Sequence, residues 1–521
     1  MMQNKEFLFK TADGKNHLFT FTLVSSLFLL WGFCNGMIDV MDKHFQKELN
    51  LSLAQSAWVQ FAHYLGYFLM AIPAGWIARK LGYKGGIIAG LLMVAVGGFW
   101  FIPATKIATF PAFLLGVCVI ASGLTFLETV ANPYSTVLGH KKYAATRINL
   151  AQSCNGIGWI FGPIAGAQFF YGQDAAGRST GSETLWIPYA SIGLFVLVLS
   201  VVFFFCKLPD IQSDDEFHLE EGKSDSLISS APSFLRSGLI WLNIVVLSVA
   251  VGMILSSISA IPAVGASIGL SENEVLLDAS GFFVLGGTIL LILKKDKISV
   301  HSIWNQSHFS GATLTQFFYV AAQCGVFAYF INYMTSQIPA IPAQWNTGSW
   351  KGWFEIHSSG VLGLTDKAAS NLASVGFGFF LGGRFIGAWL LKKFSAHRVL
   401  STFAALAAFC SFLIFLHLGW ISVAALFLCY FFMSIMFPTI FSLGIHGLGN
   451  HAKDASSFIV MAIMGGAIMP KLMGHIGDHY GMSVAFIVPL ICFLVVFFYG
   501  FFWTKLSDSK GIVGLKVSRG H

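Results

Sequence analysis

Charged residues are scarce in this sequence: Asp, Glu, Lys and Arg make up 11% of its 521 residues, where a soluble domain carries about 25%. So small a supply cannot cover a water-facing surface, which excludes a soluble globular protein. Clustered cysteine is missing as well. Cys34, Cys118, Cys154, Cys206, Cys324, Cys410, Cys429 and Cys492 stand singly in apolar stretches, with no CxxC and no Cys/His cluster. Neither a disulfide framework nor a metal site is expected from that pattern. There is no GxxxxGK[ST] phosphate loop and no HExxH, so neither ATP hydrolysis within the chain nor a cofactor is expected. An ion gradient or plain facilitation remains. What is abundant is apolar: 55% of the residues are hydrophobic and 52 are Phe. The class is a helical membrane protein.

A helix crosses the hydrocarbon with about 20 apolar residues. Such runs fall near 18–41, 57–78, 86–103, 109–132, 148–171 and 185–206, and again near 309–335, 368–391, 399–418, 420–444, 456–477 and 483–504. Between the sets lie an acidic stretch, Asp210–Asp225, and two further apolar runs near 238–261 and 275–293, the second short enough to be re-entrant. The expectation is an all-α integral membrane protein of about fourteen spans, divided as 1–209, 210–308 and 309–521. The first run, Leu18–Ile38, has no small-residue cleavage site after it and reads as a retained helix.

Basic residues give the phase, because cytoplasmic loops collect Lys and Arg. With the N-terminus inside, the cytoplasmic segments receive Lys5, Lys10, Lys15, Arg79, Lys80, Lys84, Lys141, Lys142, Arg147, Lys294, Lys295, Lys297, Lys392, Lys393 and Arg398, and the tail's Lys505, Lys510, Lys516 and Arg519. The outer loops keep few, such as Lys43, Lys47, Lys106 and Arg178. Both termini are then cytoplasmic. This placement accounts for the net charge of +7 without a nucleic-acid partner. The two sets also repeat: AGWIARKLGYK (74–84) resembles GAWLLKKFSAH (387–397), and ETVANPYSTVLG (128–139) matches MSIMFPTIFSLG (433–444) in its Pro-to-Gly spacing. Paired six-helix repeats are a recurrent transporter plan with a site at the midplane.

Polar residues inside these spans carry the chemistry, since an Asp at a helix centre costs about 2.5–3.5 kcal/mol on insertion scales. Trp31, Asn35 and Asp39 share one face of the first run, and Glu128 and Asn132 one face of the fourth. Asn149, Gln152 and Asn155 form a stripe on the fifth, and Gln316, Tyr319 and Gln323 another on the seventh. Four stripes on four helices suit one wet cavity, and a sugar asks for amide donors and acceptors beside an aromatic face. Each has a plainer alternative: a solvated Asp39–Lys43 pair, an interhelical hydrogen bond at Glu128, and amides as helix glue. The counterparts of Glu128 and Asn132 in the second half are Met433 and Phe437, so proton-binding groups gather in the first half.

At these residues the sequence resembles the fucose–galactose–glucose proton symporters of the major facilitator superfamily. The resemblance runs through FLLWGFCNGMIDVMDKHFQ (28–46), GLTFLETVANPYSTVLG (123–139), RINLAQSCNGIG (147–158), FYVAAQCGVFAYFINY (318–333) and FMSIMFPTIFSLGIHGLG (432–449). It implies the major facilitator fold, two six-helix halves with an added central pair. It also implies protonation at Asp39 and Glu128 and sugar recognition at Gln152 and Asn155. Trp31, Asn35, Asn132, Tyr319, Gln323 and Asn332 complete the expected substrate set. Against the family's fucose-carrying pattern, a Gln–Tyr pair before the tenth-helix Pro is Met436–Phe437 here, a seventh-helix Arg is Asn332, and a first-helix Asn is Ile38. The central pair and the segment around Trp345, Trp350 and Trp353 have no counterpart; that segment reads as an interfacial anchor or as an external lid. His63 and Lys471 are further departures, each read as facing neighbouring helices.

The expected function is proton-coupled uptake of a hexose, 6-deoxyhexose or N-acetylhexosamine by alternating access, in a bacterial inner membrane, with protons, sugar and membrane lipid as partners. A facilitative, sodium-coupled or exporting carrier on the same fold is the alternative, and a non-transporting sugar sensor a more distant one. An enzyme is not expected.

Overall fold

The computed structural model describes residues 8–10, 14–48, 51–52, 56, 58–139, 144–170, 184–206, 208, 233–259, 270–293, 303–346, 352–356, 362–448 and 451–507. The acidic stretch, Trp350 and most of the tail's basic residues lie outside them. Among the described residues, eleven helices are long and apolar enough to cross a membrane, or twelve when one bent pair is taken as a single span.

In chain order the first set is α1 (Leu18–Glu48), α2 (Trp58–Ile107), α3 (Phe110–Val137), α4 (Ala144–Phe170) and α5 (Trp186–Phe205). The 50-residue α2 holds two of the apolar runs. It folds back at Gly82, whose φ of 70° is a conformation that glycine adopts without Cβ strain. The added pair is α6 (Ser233–Ser259) and α7 (Glu272–Leu293). Not one residue of α7 is buried, and it packs chiefly on α6, which in turn rests on the next helix. The expectation of about fourteen spans counts α2 twice and includes α4.

The second set begins with α8 (Ser307–Ala328) and α9 (Phe330–Ser336), bent by 44° at their junction. A short antiparallel hairpin of β1 (Phe354–Ile356) and β2 (Leu362–Leu364) follows. Then come α10 (Asp366–Lys393), α11 (Ala396–Phe415), α12 (Trp420–Met433), α13 (Met436–Gly444), α14 (Ala452–Met461), α15 (Gly465–Tyr480), α16 (Met482–Ala485) and α17 (Ile487–Ser507). The α12–α13 span is broken at Ser434–Ile435. Pro438 has no N–H to offer the Ser434 carbonyl four residues back, so that carbonyl is released from the helix.

Packing joins the two sets along α4–α10, α2–α14, α3–α14 and α4–α13. Within the first set α1 lies hard against α4. A Cβ added at Gly32 would meet the Asn155 carbonyl oxygen at 2.0 Å, and one at Gly158 the Leu29 carbonyl oxygen at 2.3 Å. Small residues bring membrane helices together in this way, and here they press the polar stripe of α4 against that of α1. Arg147, read from sequence as a loop charge, is fully buried. It donates to the carbonyls of Ser135, Thr136, Gly139 and Leu8, meeting acceptors that the end of α3 leaves open.

Candidate functional site

Members of three of the four polar stripes reach one cavity. A narrow cavity between the two sets is lined by Trp31 and Asn35 of α1, Tyr64 and Tyr67 of α2, Asn155 and Trp159 of α4, Gln323, Cys324 and Phe327 of α8, Arg384 of α10 and Phe437 of α13. Aromatic rings form much of its wall. The Trp31 and Phe437 ring centroids are 6.0 Å apart, and Trp159 lies 5.0 Å from Phe327 and 4.9 Å from Phe377. The cavity is about 30 Å³, room for about two waters. A sugar is far larger than two waters, so this is a closed arrangement that has to widen.

Glu128 sits one layer behind the lining, 2% exposed, on a stretch of α3 in which every residue from Ile120 to Ser135 is buried. The Tyr67 hydroxyl and the Asn132 amide lie beside its carboxyl, yet neither carboxyl oxygen has a partner in hydrogen-bond geometry. Tyr67 bridges this carboxyl to the cavity, since the Trp31 indole and the Asn35 amide also lie close to its hydroxyl.

The amides form a second layer. Gln152 Nε2 donates to Asn132 Oδ1 at 3.1 Å. Arg384 donates to Gln152 Oε1 at 3.3 Å, to Asn155 Oδ1 at 3.1 Å and to the Gln152 carbonyl. Its Nε donates to the Ser434 carbonyl at 3.1 Å, the oxygen released by Pro438. Tyr319 is fully buried and donates to the Met433 carbonyl at 2.9 Å, pinning the same helix break instead of lining the cavity. Asn332 lies on α9, past the bend, and is not a lining residue either. The Asp39 side chain lies outside the described residues, although its backbone belongs to α1.

Sequence reasoning missed Arg384, Tyr67, Trp159 and Ser456. Arg384 stands alone in the apolar run 368–391, and the cost of a charge inside a span, which singled out Glu128, applies to it equally. Gln60, His63, Tyr64 and Tyr67 fall on one helical face at spacings of three, one and three. His63 is 1% exposed and lines a smaller side pocket with Asn35, Gln60 and Trp159. Lys471 stands 5.6 Å from the Trp58 ring.

The two sets also touch on either side of the cavity. At one end Arg79 pairs with Asp454 at 3.0 Å, and Ser456 Oγ donates to the Thr129 carbonyl at 3.0 Å. That carbonyl is the one Pro133 releases, the repeat counterpart of Ser434. Towards the other end the Tyr64 hydroxyl meets Cys324 Sγ at 2.7 Å. At that end Trp345, Trp353, Trp420 and Phe354 line a separate pocket of about 600 Å³ beside the hairpin.

Two helical sets closing on a midplane cavity, with proline-released carbonyls at matching points, is a transporter architecture. The family model of the Major Facilitator Superfamily matches residues 19–349. The chain belongs to the major facilitator superfamily. Similar members include the L-fucose-proton symporter of Escherichia coli, 31% identical over 516 residues with 96% of each chain covered. The glucose/galactose transporter of Brucella abortus is 28% identical over 497 residues, covering 95% of this chain and 97% of that one. Among solved structures, the major facilitator transporter FucP in its outward conformation matches with a TM-score of 0.62 and 30% identity, over 94% of this chain and 99% of that one. Membership makes this chain an all-α membrane transporter, not an enzyme.

Proposed function

We propose that this major facilitator protein takes up a small sugar together with a proton, by alternating access of a midplane cavity. One observation carries the reading. A buried carboxyl at Glu128, both oxygens open, stands behind Tyr67 at a cavity walled by aromatic rings and amides between the two helical sets. Rings suit the C–H faces of a sugar and amides its hydroxyls. The similarity to proteins named as a fucose-proton symporter and a glucose/galactose transporter supports a hexose, 6-deoxyhexose or N-acetylhexosamine as cargo.

Glu128 takes the proton, which makes the site neutral and readies it for the sugar. Asp39, further along α1, relays that proton. Trp31, Asn35, Asn155 and Gln323 touch the sugar, with Asn132 and Gln152 behind them. Tyr319 and Asn332 act from outside the lining, at the helix break and past the α8–α9 bend. The moving bodies are 1–209 and 309–521, joined through 210–308. The protein works in a bacterial inner membrane with both termini in the cytoplasm. One proton moving inward gains about 2.3 kcal/mol per 100 mV, and about 1.4 kcal/mol is tenfold in an equilibrium constant. Roughly fifty-fold accumulation per 100 mV follows.

The test is uptake into proteoliposomes over a sugar panel with an imposed pH gradient. Uphill uptake with external alkalinisation, indifferent to sodium at fixed pH, is expected. In Glu128→Gln, accumulation should vanish while sugar exchange across the membrane continues. Full accumulation by that variant would remove Glu128 from the coupling.

A further inference from the structure

Arg384 is a buried cation whose partners are all neutral oxygens: the carbonyls of Ser434 and Gln152 and the side-chain oxygens of Gln152 and Asn155. Phe380 covers one face of the guanidinium at 4.5 Å. Its repeat counterpart, by the alignment of 387–397 with 74–84, is Ala71. The charge therefore belongs to the second half alone, as Glu128 belongs to the first.

A guanidinium donates hydrogen bonds and cannot accept them. Any amide that touches it has to turn its oxygen that way, and this settles where the other end of the amide goes. Gln152 gives Oε1 to Arg384, so its Nε2 is left to donate, and it donates to Asn132 Oδ1 at 3.1 Å. With Oδ1 taken, Asn132 has only Nδ2 to present to the carboxyl beside it, Glu128. Asn155 likewise gives Oδ1 to Arg384 and keeps Nδ2, which has no partner, at the cavity. Donor-to-acceptor direction thus runs one way, from Arg384 through Gln152 and Asn132 to Glu128, and the first step crosses between the halves. The last step stops short of hydrogen-bond geometry here.

We propose that Arg384 is a positioning residue that sets the orientation of the site's amides, so that docking of the two halves aims N–H groups at both the sugar and the proton-carrying carboxyl. When the halves part, Arg384 leaves α4 with the second half, held there by the Ser434 carbonyl. Gln152 and Asn155 are then free to turn over. In the closed state, N–H donors on the α4 side meet sugar hydroxyls as acceptors. This inference rests on the cavity being the sugar and proton site proposed above.

Two variants separate orientation from simple bracing. Arg384→Gln puts an amide that both donates and accepts where only a donor stood. Gln152→Glu keeps, and strengthens, the contact with Arg384 but cannot donate to Asn132. The full-length protein in nanodiscs is assayed for equilibrium sugar binding, thermal midpoint and, in proteoliposomes, sugar-driven alkalinisation. Expected is about tenfold weaker binding in each variant, with alkalinisation lost in Gln152→Glu although its midpoint is unchanged or raised. Arg384→Lys, still only a donor, should bind better than Arg384→Gln. Wild-type binding and alkalinisation in Gln152→Glu would reduce Arg384 to a strut and overturn the inference, whatever Arg384→Gln does. Wild-type behaviour in Arg384→Gln would overturn it as well. A wild-type protein that binds no sugar would overturn the proposed function, and this inference with it.

Discussion

At Pro133 and Pro438, the repeat-related prolines, a missing N–H matters more than any side chain. Each frees the carbonyl four residues back, and each freed oxygen is claimed by another helix, Thr129 by Ser456 and Ser434 by Arg384. Ser456→Ala should remove one neutral hydrogen bond worth about 1 kcal/mol, roughly fivefold in the closing of that end. In a cysteine-depleted background, a cysteine at position 136 should react about fivefold faster with an impermeant thiol reagent; an unchanged rate counts against the bond. Glu128, Asn132, Gln152 and Asn155 were legible because a polar residue inside an apolar run announces itself and a spacing of three or four fixes its face. Ser456 was not. Its importance comes from a carbonyl on a different helix, freed by a proline three hundred positions away, and no local pattern carries that.

Among the elements, α1 and α4 approach too closely for any side chain at Gly32 or Gly158. Gly158→Ala forces the two helices apart, and overpacking of this kind costs about 1–3 kcal/mol. A lower thermal midpoint and weaker sugar binding are expected together, because Asn155 rides on the same turns of α4. Retention of both would contradict the approach. Helix positions followed the apolar runs closely, since the bilayer imposes length and polarity on every span alike. The breaks did not show. The runs at 309–335 and 420–444 read as continuous, yet the first bends at Tyr329 and the second parts at Ser434–Ile435. Hydropathy averages over a window and does not register a lost backbone bond. Tyr319 reads from the sequence as a substrate contact on α8, but its hydroxyl answers to the broken α12–α13 backbone, an acceptor that exists only once that break has formed.

For the whole molecule, the repeat of AGWIARKLGYK and ETVANPYSTVLG in the second half makes the two-part plan legible in the sequence. The closed state was not legible, because it depends on pairs that meet across the halves. One such pair, Arg79–Asp454, is 51% and 30% exposed, and ion pairs that wet contribute about 0–1 kcal/mol. Asp454→Asn should therefore raise thiol access at position 136 by no more than about fivefold, and less at high salt. A change of a hundredfold would mean that the pair, not the helix seam, holds this end shut.

The oxygens at 129 and 434 belong to the main chain, so no substitution at those two positions can delete them. Whatever residue stands there, the Thr129 oxygen keeps joining the halves through Ser456, and the Ser434 oxygen keeps holding Arg384 within the second half, as long as the prolines and their donors persist. The join at Thr129 is in that respect independent of the side chains that line the cavity. A lineage built on this plan can exchange the lining for a new cargo and leave that join untouched.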